Sequence, residues 1–156
     1  MTAQKGTLAL LAVTVALPMV GDSVTFPHAL ARRGCTQEDA PALELFLTRE
    51  AFDGKNEPRK PYLHMEIAWG DFSKLVGKDL DLIPLNRNES DRSKPLVRAE
   101  VASEQGAPVW LSGQLRLSRV EVDKRVEGSY QFLAPDQTVW KGQFKARWVA
   151  AQQRCG

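Results

Sequence analysis

Apolar residues recur at every second position along most of the chain beyond residue 40. Leu43, Leu45 and Leu47 alternate with Glu44, Phe46 and Thr48. Leu63, Met65, Ile67 and Trp69 alternate with Tyr62, His64, Glu66 and Ala68, and Val97, Ala99 and Val101 alternate with Arg98 and Glu100. Period two is the pattern of a strand with one face in a core. Val109, Leu111, Leu115 and Leu117 share one parity, whereas Val120 and Val122 take the other. A parity change inside one strand predicts a bulge near Ser118–Arg119. Val126, Gly128, Tyr130 and Phe132 follow in phase. The last segment alternates most strictly, with Trp140, Gly142, Phe144, Ala146 and Trp148 on one side and Lys141, Gln143, Lys145 and Arg147 on the other. Strands with one apolar and one polar face belong to antiparallel sheets. Val24-Thr25-Phe26 reads as the first strand of the domain.

The punctuation agrees. Ala134-Pro135-Asp136-Gln137 has turn chemistry, with proline presetting φ, and Asp123-Lys124-Arg125 marks a second turn. Asp71 is placed to cap one short helix over Phe72–Val76, stopped by Gly77. Pro58–Pro61 and the polar stretch Asn86–Ser93 read as loops. Gly113, Gly128 and Gly142 each precede a large apolar residue by two positions, which predicts a strongly curved sheet. The expectation is a mainly all-β fold, a small antiparallel β-barrel or β-sandwich with one short helix.

The N-terminus breaks this pattern. Lys5 is followed by an uncharged, mostly apolar run to Val20, and polar residues resume at Gly21 and Asp22. That order is the layout of a cleaved secretory signal peptide, and the run is shorter than the about 20 residues of a membrane-spanning helix. The cut falls between Ala16 and Ala31: Gly21–Ser23 fits the small-residue rule best, and Ala29-Leu30-Ala31 also satisfies it. Residues 1–23 are therefore expected to be a signal peptide and 24–156 a single β domain, periplasmic or secreted and not membrane-spanning after cleavage. Export in turn gives the two cysteines a role. Cys35 and Cys155 would meet in an oxidising compartment and close a disulfide that ties both ends of the domain together.

Composition then narrows the function classes. With 21 basic and 19 acidic residues the net charge is +2, which gives no support to a nucleic-acid binder. The 2 histidines and 2 cysteines leave too few ligands for most metal or redox motifs.

The C-terminal stretch from Leu111 to Trp148 carries Gly142, Phe144 and Ala146 in a GxFxA strand, with Cys155 following. This resembles the closing meander of an uncharacterised family of small exported bacterial β-domains, whose late cysteine pairs with one near the mature N-terminus. The resemblance covers about the last 50 residues. It implies export, a β fold and a terminus-linking disulfide, and no activity. In this chain Val149–Arg154 separate the strand from its cysteine.

Candidate chemistry is sparse. His64 and Glu66 point to one strand face and could form a His–carboxylate pair, with Tyr62 beside them. Asp79 and Asp81 share a face, Glu38 and Asp39 are adjacent, and none fits a metal loop. Asn88-Glu89-Ser90 matches a glycosylation acceptor that is inert in a bacterial source. Trp110 is out of phase with Val109 and Leu111 and lies on a polar face with Arg116. Together with the Lys141, Lys145 and Arg147 stripe, these two residues suggest a binding surface. The sequence thus points to a non-enzymatic exported domain, without cofactor or metal, that binds an envelope protein, a polysaccharide or an apolar ligand. The alternatives are a small secreted hydrolase using His64 with Glu66 and a barrel carrying an apolar ligand in its interior.

Overall fold

The computed structural model describes residues 26–36, 39–83, 93–150 and 155. The signal segment over 1–23, Glu38 and the Asn88-Glu89-Ser90 triplet lie outside the described residues. The described strands are β1 (His28–Cys35), β2 (Pro41–Thr48), β3 (Tyr62–Ala68), β4 (Asp79–Asp81), β5 (Leu96–Ala102), β6 (Val109–Trp110), β7 (Ser112–Glu121), β8 (Arg125–Leu133) and β9 (Val139–Val149). They form one sheet in the order β4-β7-β8-β9-β1-β2-β3-β5-β6. The fold is all-β, and the sheet curls into a half-barrel rather than splitting into two facing layers.

The ends of the curl are tied together just after β4. The Leu82 N–H donates to Gly113 O at 2.8 Å and the Ile83 N–H to Val97 O at 2.8 Å, so this short stretch reaches from β7 to β5. The Leu111 N–H adds a bond to Ala99 O at 3.0 Å.

Alternation gives the sheet an apolar inner face. Leu43, Leu45, Leu63, Met65, Ile67, Val97, Leu115, Leu117, Val126, Phe132, Phe144 and Ala146 are buried there in one cluster. Trp69, Trp140 and Trp148 pack against it from the margins. Burying each large side chain contributes about 1.5–3 kcal/mol.

Two glycines let β8 and β9 bend around this core. Gly128 stands opposite Phe144, and Gly142 opposite Tyr130. A Cβ at Gly128 would lie 2.4 Å from Arg116 O and 2.8 Å from the Phe144 ring. One at Gly142 would lie 2.9 Å from the Tyr130 hydroxyl. Each ring lies over the bare backbone of its partner strand.

Local signals place most of the turns. The register shifts between Leu117 and Arg119, and beyond that bulge Val120 packs against the core while Val122 lies exposed in the turn. The Gln137 N–H closes the Ala134 turn at 3.0 Å, and the Lys124 N–H bonds Glu121 O at 3.0 Å. Asp71 caps a 3-10 turn over Phe72–Leu75, shorter than an α-helix, through a 3.1 Å bond from Ser73 N–H. The segment Val24-Thr25-Phe26 reaches the described residues only at Phe26, which is not in a strand and stacks on Trp140 at 6.1 Å. Among the described residues the first strand begins at His28. The alternative cleavage residues Ala29-Leu30-Ala31 therefore lie inside β1, with Leu30 and Ala31 both buried.

One pairing departs from the antiparallel expectation. β1 and β9 run parallel, with Ala31 opposite Trp148. Parallel neighbours end on the same side, so the chain beyond β9 reaches the C-terminal end of β1. There Cys155 bonds Cys35 with S–S 2.10 Å and Cα–Cα 5.6 Å, across 120 residues of sequence. Closing a loop of that length stabilises the fold by about 4–5 kcal/mol in the chain-entropy account.

The packing makes a differential prediction about glycine. Gly128→Ala should cost about 3 kcal/mol, because backbone and ring must both shift. Gly77→Ala, at φ +80° with open space around it, should cost about 1 kcal/mol from backbone strain alone. Urea midpoints compare the two, and equal losses would contradict the ring-over-glycine packing.

Candidate functional site

The outer face of β1, β2, β3 and β5 carries charge where a sheet face of this burial usually carries apolar residues. Period two aims Arg32, Glu44, His64, Glu66, Arg98 and Glu100 away from the inner core. The registers then align them in two rows. Arg32 stands opposite Glu44, Glu44 opposite Glu66, and Glu66 opposite Arg98. In the next row Leu30, Phe46, His64, Glu100 and Trp110 succeed one another across the strands.

His64 is held from both sides. Its Nδ1 lies 3.3 Å from Glu100 Oε1 and its Nε2 lies 3.5 Å from Glu44 Oε1, the second within ion-pair reach but long for a hydrogen bond. Its ring stacks on Phe46 at 4.6 Å. Arg32 lies 4.7 Å from the centre of the same Phe46 ring and donates from Nε to Glu44 Oε2 at 2.6 Å. Gly34 makes room for the Glu44 side chain, whose Cδ would lie 2.5 Å from any Cβ there.

The segment between β2 and β3 folds back over this face as a strap. Arg32 Nη1 donates to Gly54 O at 2.9 Å, and Arg147 Nη2 to Phe52 O at 2.7 Å. The Tyr62 hydroxyl donates to Glu57 Oε1 at 2.6 Å. Phe52 packs edge-on against Phe46 at 5.7 Å, within a second small apolar cluster with Leu30, Tyr62 and Ala102. Between strap and strands lies a groove of about 530 Å³. The charged quartet of Arg32, Glu44, His64 and Glu100 lines its inner part, and Lys55, Asn56 and Glu57 of the strap, all exposed, line it as well. Arg33 borders the groove beside Arg32, but it stands opposite Leu43 and its guanidinium faces Asp123 on the other side of the sheet.

Burial and charge set the protonation states. Burial alone would depress the His64 imidazole, but the contact with Glu100 and the close carboxylate charges of Glu44 and Glu100 outweigh it and push its pKa up to about 9. Burial would raise Glu44, yet His64 and Arg32 hold it below the ordinary carboxylate value. Glu66 is raised, first by burial and further by the like charges of Glu44 and Glu100, against the opposing pull of His64 and Arg98. Burial and then the bond to Glu57 raise the Tyr62 phenol. At neutral pH His64 is thus a fixed cation between two carboxylates.

The sequence pairing of His64 with Glu66 holds only as a shared face, since the atoms in contact with the imidazole belong to Glu100 and Glu44. Trp110 is exposed as its phase requires, and it stands beside Glu100 at the edge of the groove face. Arg116 is on the outer face of β7 and bonds Asp79 at 2.8 Å. Arg147 secures the strap. Lys141 and Lys145 are exposed on β9, opposite Gln131 and Glu127. Arg116, Lys141, Lys145 and Arg147 share the outer face of β7 and β9 on either side of β8, whereas Trp110 is on β6 beside β5, and Arg116 and Arg147 are engaged within the protein. Asp79 and Asp81 share a face as expected and engage Arg116 and Gln114.

The chain matches no protein-family model, no curated protein and no solved structure in the comparisons made with each.

The His64 network generates a pH dependence. A folded-state pKa raised from 6.5 to about 9 means that the imidazolium's stabilisation is complete below pH 6.5 and is lost as pH rises through about 9. Unfolding midpoints should therefore fall between pH 6.5 and 9, and His64→Gln should flatten that slope. A wild-type slope retained in the variant would place the titration elsewhere.

Proposed function

We propose that this chain is an exported, non-enzymatic binding domain, periplasmic or secreted, which holds a hydroxyl-rich ligand in the outer-face groove. The ligand class is a saccharide chain of the cell envelope. The observation that carries this reading is the groove itself, about 530 Å³ in volume and lined by interleaved donors and acceptors. Arg32 and Asn56 offer N–H groups, while Glu44, Glu57 and Glu100 offer carboxylate oxygens. A hydroxyl both donates and accepts, so a polyol can satisfy such a surface without bringing a charge of its own. Groups already held by one another need little reorganisation when a ligand arrives.

The energetics support a functional reason for the network. Charges taken largely out of water return little net stability compared with apolar residues of similar volume. Side-chain exposure is 20% for Arg32, 14% for Glu44, 18% for His64 and 16% for Glu100. A sheet face selected for stability alone would carry leucines and valines at these positions.

Two other readings find less support. A hydrolase using His64 as general base needs a neutral imidazole and a nucleophile. Here the imidazole is held protonated, and the groove lining contains no serine, threonine or cysteine. An apolar carrier needs internal space, whereas fully buried side chains such as Leu45, Met65 and Phe132 occupy the inner face. Export rests on the N-terminal pattern of the sequence. The Cys35–Cys155 bond fits an oxidising compartment. Among the described residues no helix is long and apolar enough to cross a membrane.

Calorimetric titration with soluble envelope oligosaccharides tests the reading. Glu100→Gln should weaken binding about tenfold, the effect of losing one charge-assisted hydrogen bond, and Lys145→Gln should leave it unchanged. The reverse pattern would move the site to the basic face of β9.

A further inference from the structure

Three of the four tryptophans have a structural use. Trp69, Trp140 and Trp148 are partly buried and pack against the core. Trp110 is 37% exposed, and among the described residues its ring stacks on no other. The register fixes where it stands. Glu100 on β5 is opposite His64 on one side and opposite Trp110 on the other. Residues paired in this way project from the same face of a sheet. Of the strands that line the groove β5 is the last, and Glu100 is the residue it contributes. Trp110 is therefore the next side chain beyond the groove, in the row that carries His64. Two strand spacings, about 10 Å, separate it from His64, which is more than one pyranose ring spans.

The charges of the groove balance. Arg32 and His64 are answered by Glu44 and Glu100 at 2.6–3.5 Å. The strap adds one charge of each sign, in Lys55 and Glu57. A ligand with a net charge would leave one of these groups unanswered in a site largely shielded from water, where an unpaired charge costs most.

We infer that the ligand is a neutral, β-linked saccharide chain that fills the groove, crosses Glu100 and lays its next pyranose ring on the face of Trp110. This rests on the saccharide-binding reading of the same groove. It adds a second subsite, the charge of the ligand and a least length for it. The two subsites ask for different faces of a sugar. In the groove, carboxylates and N–H groups meet hydroxyls at the edge of a ring. At Trp110 an aromatic face meets the C–H groups of a ring. Those C–H groups carry a slight positive charge and the indole face a slight negative one, so the contact is polar as well as apolar. A pyranose whose substituents are all equatorial offers such a flat C–H face, whereas an axial hydroxyl would press a polar group onto the indole. Trp110 thus favours gluco- over galacto-configured units. Neither subsite needs a charged ligand, so binding should vary little with ionic strength.

The test uses the full mature protein with the dimer and the tetramer of β-linked N-acetylglucosamine, and with a uronic-acid tetramer as a charged comparison. The neutral tetramer should bind about tenfold tighter than the dimer, the weight of one good aromatic contact. Trp110→Ala should abolish that preference and leave dimer binding unchanged, while Trp110→Phe should keep most of it. Tryptophan emission should shift when the tetramer binds to the wild type, and the shift should vanish in Trp110→Phe although binding persists. If the alanine variant has a lowered thermal midpoint, the phenylalanine variant decides: a preference kept without the emission shift supports the stacking contact, and a preference lost overturns it. Equal binding of dimer and tetramer, untouched by Trp110→Ala, would overturn this inference and leave the saccharide reading standing. Tighter binding of the uronic-acid tetramer would overturn the neutral assignment. Binding of none of the three would overturn both readings.

Discussion

A protonated imidazole between two carboxylates, on a sheet face largely shielded from water, sets the terms for the outer half of this molecule. None of its members tolerates the loss of the others: Glu44 without His64 and Arg32 would be a buried anion, and His64 without Glu44 and Glu100 would surrender its proton. The contacts are cross-strand, so they depend on the registers of β1, β2, β3 and β5. A slip of one residue in any of these strands would turn charges into the inner core and leucines outward. The network and the core therefore specify the same register from opposite faces. The strap is attached to this arrangement through Arg32, which touches Glu44, Phe46 and Gly54 at once.

The rest of the fold keeps that face in place. Ring-over-glycine pairs in β8 and β9 allow the sheet to curl, and the curl makes room for β1 beside β9. The parallel pairing of those two strands brings the sulfur atoms of Cys35 and Cys155 together. The bridge sits next to Gly34, the residue that accommodates the Glu44 side chain. The link from chain ends to groove is thus only a few residues long.

Much of the fold was legible because most strands after residue 40 turn one apolar face to the core and alternation records it. The bulge at Leu117–Arg119 appeared as a parity change, the Asp71 cap and the Ala134 turn appeared as local chemistry, and the cysteines as a pair. β1 was not legible as a strand starting at His28, because Leu30 is buried under the strap while Ala31 is buried in the core, which erases the period. The site was half legible. His64 and its face followed from parity, but its partners did not. Residues two apart on one strand are about 6.6–7 Å apart along the backbone, whereas cross-strand neighbours have Cβ atoms about 4.5–5.5 Å apart. Glu100, directly opposite, therefore reaches the imidazole ahead of Glu66, while Glu44 reaches it diagonally from the next strand, and no single-strand pattern reveals which residues stand opposite. The return of Phe52 and Gly54 onto the outer face carries no local signal either.

The central claim is that the outer face of β1, β2, β3 and β5, under the strap, is where this protein meets its ligand. Mapping backbone amide shifts in solution while an envelope oligosaccharide is titrated in tests it most directly. The account predicts perturbations gathered on Arg33, Glu44, Lys55 to Tyr62, His64 and Glu100, with the amides of Lys141 and Lys145 unmoved. Perturbations centred on β7 to β9, or spread through the inner core, would contradict it.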